Sequence, residues 1–92
     1  MGMQIELSLK EKDVALVLRD NDQDLDRMQW VDDNDLLEKF FPAIEDILMR
    51  NERVVEDVDD FVLVADIPKG YTTARIARTI IKTLNFARHA QS

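Results

Sequence analysis

Cysteine is absent from the 92 residues, which excludes disulfides and thiolate metal sites. Histidine occurs once, as His89, so a histidine-built metal or catalytic cluster is excluded as well. No apolar run approaches the roughly 20 residues of a membrane span, and no secretory leader is visible. The expectation is a cytoplasmic protein with no membrane attachment. Repeats and low-complexity segments are lacking too. The most informative absence concerns charge, because no acidic residue follows Asp66. Residues 1–66 carry 19 acids against 7 bases, a sum of −12; residues 67–92 carry 5 bases and no acid, a sum of +5. The C-terminal segment is a cationic element on an anionic body.

What is present is enough apolar residue to fold, 46% of the chain, in a length that supports one domain with a small core. That domain is expected over residues 3–90. Ile5, Leu7 and Leu9 alternate with polar residues, the period of a strand with one wet face. VALVL, Val14 to Leu18, is a continuous apolar run suited to burial on both faces. Leu25, Met28 and Trp30 suggest a third strand after the polar turn at Arg19 to Asp24. These three form an antiparallel meander.

WVDDNDLLEKFF then opens a helix, with Asp32, Asp33, Asn34 and Asp35 as N-cap candidates. At 100° per residue, Leu36, Leu37, Phe40, Phe41, Ile44, Ile47 and Leu48 fall within an arc of about 140°. Pro42 removes one hydrogen bond from this helix and is expected to bend it. After an acidic loop over residues 51–60, Phe61 to Ala65 reads as a strand reached by a crossover. A last helix from about Thr72 to Arg88 groups Ile76, Ala77, Ile80, Ile81 and Leu84 on one side and Arg75, Arg78, Lys82 and His89 on another. The expected architecture is α/β, in the order β-β-β-α-β-α, with the first and fourth strands parallel and adjacent.

The turn before the last helix, Asp66-Ile67-Pro68-Lys69-Gly70-Tyr71, has the strand–loop–helix layout of a phosphate-binding site. It holds one glycine and one proline without an N–H, too few free amides for such a grip. A structural turn is the better reading. No cofactor and no ATP binding are expected. The acids Glu45, Asp46, Asp57, Asp59 and Asp60 match no calcium loop and read as solubilising charge. The chain offers no convincing nucleophile–base pair.

LLEKFFPAIEDIL, the apolar strand, and PKGYTTARIARTIIKTLNFA together resemble the N-terminal half of the TsaB family, the bacterial partner proteins of tRNA threonylcarbamoyladenosine synthesis. Phe40, Phe41 and Pro42 stand where that family has Leu-Leu-Pro, and Pro68 where it has the loop proline. Tyr71, Thr72, Arg75 and Ile76 stand at its phenylalanine–threonine and arginine–isoleucine pairs. Leu84, Phe86 and Ala87 match the end of its helix. The chain departs from the pattern at Ile67, Lys69, Thr73 and Ala77, where the family has glycines, and at Leu36, where it has histidine.

The resemblance implies half of an actin-like, ribonuclease H-like domain, with a mixed four-stranded sheet and two helices. It implies a non-catalytic interaction module, in or derived from the same tRNA modification. Such a module forms a homodimer or binds a TsaD-like subunit through its two helices. The interface residues expected are Leu36, Leu37, Phe40, Phe41, Ile44, Ile47, Ile76 and Ile80. Spacing does not decide which phenylalanine faces the sheet. Direct nucleic-acid binding is disfavoured, because the −12 body repels phosphates. The alternative is a fragment of an actin-like ATPase or glycoprotease-like enzyme that needs a second chain.

Overall fold

The alternating segment forms β1 (Met3–Lys10), and a two-residue turn returns the chain as β2 (Asp13–Asp20). Asn21 and Asp22 both take positive φ, 51° and 69°, the conformation a tight hairpin turn demands and these residue types tolerate. The turn delivers β3 (Gln23–Val31). Then come α1 (Leu36–Arg50), a short 3₁₀ turn at Val55–Asp57, β4 (Asp60–Asp66) and α2 (Thr72–Ala90). This computed structural model describes residues 2–33, 35–66 and 71–90, the side chains of 88–90 excepted. The turn considered for phosphate binding falls largely on residues 67–70 and lies outside the described residues.

The sheet order is β3-β2-β1-β4, with β1 antiparallel to β2 and parallel to β4, as the element order predicts. Both helices cover one face. Ile5, Leu7, Leu9, Val14, Leu16 and Leu18 meet Phe40, Ile47, Ala77 and Ile81 there in one core.

The other face carries no helix. Val17 and Ala15 are nevertheless 1% and 7% exposed. The continuous apolar run of β2 is thus buried on both sides, but the second side is closed by long polar neighbours. Val17 lies between Glu6 and Arg27 in the register, and Ala15 between Ser8 and Gln29. Arg19 ties the face together, donating to Glu6 at 2.6 Å and to Asp24 at 2.7 Å.

β4 takes the edge position that its pairing with β1 alone implies, and Val64 of its apolar run is 47% exposed. α1 runs unbroken through Pro42. Its N-cap residue is Asp35, but the carboxylate makes no cap bond. It accepts instead from the Asp33 amide, and Asp32 accepts from Thr73 of α2. At the other end Asn51 donates to the Ile47 carbonyl and to Asp26 of β3, which also accepts from Arg50. Burial pushes the Asp26 carboxyl up. The bonds from Asn51 and the Arg27 amide, with the charge and donation of Arg50, outweigh that and hold it below the usual carboxylate range.

Candidate partner interface

The 140° apolar arc of α1 divides in two. Leu36, Phe40, Ile44 and Ile47 are at most 5% exposed and point into the sheet. Leu37 and Phe41, at its far edge, are 54% and 45% exposed. Phe40 therefore faces the sheet, and Phe41 leans toward α2. On α2, Ile80 is buried and Ile76 half-buried. Five of the eight expected interface residues, Leu36, Phe40, Ile44, Ile47 and Ile80, are buried in the chain's own core. The physical reason is that two helices alone cover this face of the sheet, so α1 spends most of its arc there. Leu37, Phe41 and Ile76 remain for a partner.

Leu37 and Ile76 lie in a shallow valley of about 420 Å³ between the helices, lined also by Ile80, Thr72, Thr79 and Arg75. Phe41 lies in a hollow of about 570 Å³ lined also by Leu48, Met49, Val54 and Leu84 among others. Met49, Val54 and Val55 are 75%, 57% and 45% exposed and were not expected at the interface. The sequence signal for them existed: Val54 and Val55 are an adjacent β-branched pair inside a loop rich in acid. Contiguous apolar surface of this kind marks an interaction site more often than scattered exposed residues do.

A second hollow of about 570 Å³ opens elsewhere, near the β1–β2 turn, lined by Ser8, Lys10, Asp13, Arg27 and Gln29. Its charges are mixed. Among the described residues no three of His, Cys, Asp and Glu converge to hold a metal ion. No helix among the described residues is long and apolar enough to cross a membrane.

No protein-family model matches the sequence, and no match emerges among curated proteins. The fold does have solved counterparts. YeaZ from Pseudomonas aeruginosa, also called TsaB, superposes on 97% of this chain with a TM-score of 0.81 at 20% identity, using 41% of its own length. A structure described as an uncharacterized protein with similarity to peptidase YEAZ from Pseudomonas aeruginosa gives a TM-score of 0.82 at 20% identity, over 97% of this chain and 40% of that one. The chain thus spans about 40% of the length of the structures it resembles. The likeness is one of fold: half of an actin-like domain, as the sequence resemblance implied.

Proposed function

We propose that this chain is a non-catalytic interaction module that associates through the α1–α2 valley, with a second copy of itself or with a TsaD-like subunit. By its TsaB-like fold it would serve, or derive from, tRNA threonylcarbamoyladenosine modification in the cytoplasm. The observation that carries the reading is the exposure of Leu37 and Phe41 on α1, with the half-buried Ile76 of α2 beside Leu37. Two such helix pairs brought together about a two-fold axis make a four-helix bundle, which gives each exposed side chain an apolar neighbour.

Catalysis is not part of the reading. The chain has no cysteine and a single histidine, which leaves no thiol nucleophile and no histidine cluster to support an enzyme. Light scattering at high micromolar concentration tests the proposal. The wild type is expected at twice the chain mass, or in complex with a co-expressed TsaD-like subunit. Leu37→Asp and Phe41→Asp are expected to abolish both. A monomer that retains no such subunit, or association indifferent to both substitutions, refutes it.

A further inference from the structure

β3 is the outer strand on the side of the sheet away from β4, and its outward edge is a surface independent of the helix valley. The Asp32 amide donates to the Lys12 carbonyl at 2.7 Å, so the backbone of Asp32 faces β2. Backbone groups alternate along a strand, and those of Met28 and Trp30 therefore face β2 too, in register with Leu16 and Val14. The groups of Arg27, Gln29 and Val31 face outward. Asp26 covers the first of these, because its carboxylate accepts from the Arg27 amide at 2.8 Å. Just before it the register shifts, and Leu25 is left without a partner on β2. A charge and a bulge are ordinary defences of an edge strand. Here they guard only its first half. The amides and carbonyls of Gln29 and Val31 have no partner among the described residues.

Each face of this open stretch borders a hollow. Met28 and Trp30 lie on the helix side, where a hollow of about 560 Å³ separates them from the flank of α1 and is lined by Glu38, Lys39, Pro42 and Asp46. Arg27, Gln29 and Val31 lie on the other side, in the hollow beside the β1–β2 turn. The side chains of a strand laid along this edge alternate between the faces, so they enter both hollows in turn. The two differ in charge. On the helix side Lys39 lies 3.5 Å from the Asp35 carboxylate, and Arg50 is held by Asp26. Glu38 and Asp46 have no cationic partner among the described residues, and they share the hollow with the Trp30 indole. Asp33, just past the strand, adds a further negative charge. Carboxylates beside an aromatic ring are the chemistry that holds a guanidinium or an ammonium. The other hollow sets Lys10 and Arg27 against Asp13, and Val31 is 60% exposed there.

We infer that the outer edge of β3 accepts an extended basic segment of another protein, paired to Gln29 and Val31 as an added strand. The geometry sets the pattern of the segment. Residues turned to the helix side are arginine or lysine, with the stem along Trp30 and the head at Glu38 and Asp46. Those on the other side lie beside Gln29 and Val31 and are β-branched. Charge selects this occupant over a second copy. Pairing β3 with β3 about a two-fold axis would bring Glu38 and Asp46 of both copies to one seam. On the helix side β3 offers that seam Met28 and Trp30, not a cation.

The test uses three end-blocked synthetic peptides. One alternates arginine with threonine, one alternates glutamate with threonine, and the third is the arginine peptide with every backbone amide N-methylated. Amide hydrogen exchange is followed by NMR at Gln29 and Val31, together with the emission of Trp30, the chain's one tryptophan. The arginine peptide is expected to slow exchange at both amides several-fold and to shift the emission. The other two are expected to change neither. In the double variant Glu38→Lys, Asp46→Lys, both exposed positions, the glutamate peptide is expected to take over. No protection with excess arginine peptide overturns the inference, whether or not the variant folds. Equal protection by the glutamate peptide or by the N-methylated one overturns it too, because charge recognition or strand pairing is then absent. Protection that grows with protein concentration alone does the same, because a second copy then fills the edge.

Discussion

Phe40 and Phe41 stand 100° apart on α1, and that rotation puts one ring fully in the core and leaves the other 45% exposed beside α2. Phe40→Ala should therefore cost about 3–5 kcal/mol, the range for emptying a buried phenylalanine site. Domains of this size hold only about 5–14 kcal/mol in total, so much of the fold's margin goes with it. Phe41→Ala should move the stability of the separated chain by less than about 1 kcal/mol. Urea unfolding followed by circular dichroism at low protein concentration checks both, and comparable losses would mean the two rings share the core.

The alternation of Ile5, Leu7 and Leu9 was legible because period two has a single structural meaning. The choice between the phenylalanines was not, since a 140° arc admits either. Asn85 and Asn51 were also illegible. Each bonds an element 24 or 25 residues away, and nothing in an asparagine's neighbours specifies so distant a partner.

At the scale of elements, the order and type of all six main segments could be read; five carry a clear period or a continuous apolar run, and β3 only the sparser Leu25, Met28 and Trp30. What the runs could not reveal is their neighbours. Phe61 to Ala65 is continuously apolar, and nothing in that run tells that Asn85 of α2 bonds Phe61. Composition records what a strand can bury against and is silent on which neighbour supplies it. Removing Asn85 should show at this scale. Asn85→Ala deletes both bonds to Phe61 and the tie between α2 and the sheet edge. The expected cost is about 1–3 kcal/mol, since the freed groups lie at a part-buried edge. Exchange at the Phe61 amide should accelerate while the β1–β2 ladder is unaffected. Faster exchange throughout the sheet would instead make Asn85 a support of the whole fold, and no change in either measurement would leave it without a structural role.

The whole molecule joins a two-layer fold to a division of charge. One face of the sheet lies under two helices, and the other is finished with polar side chains. Part of the exposed apolar surface lies on the helix side, where Leu37, Phe41, Met49, Val54 and Val55 line the valley between α1 and α2 and the hollow beside it. A domain of this length buries a smaller share of its surface than a larger one does, so association there adds burial that the lone chain lacks. Folding and association should consequently be coupled. If two chains fold and pair together, each tenfold rise in concentration stabilises the pair by about 1.4 kcal/mol, or about 0.7 kcal/mol per chain. For a domain of this size that raises the thermal midpoint by about 3–6 °C. Leu37→Asp combined with Phe41→Asp should leave a folded chain whose midpoint no longer depends on concentration, because both positions are exposed and neither is needed by the core. Charge contributes little to this coupling. Cation–carboxylate pairs at the rim of the valley are worth about 0–1 kcal/mol each and weaken with salt, so high salt should lower the midpoint only slightly. A midpoint independent of concentration in the wild type would show that the valley stays open in the free chain. Its apolar lining would then be kept for a different protein, and the co-expression experiment becomes the deciding one.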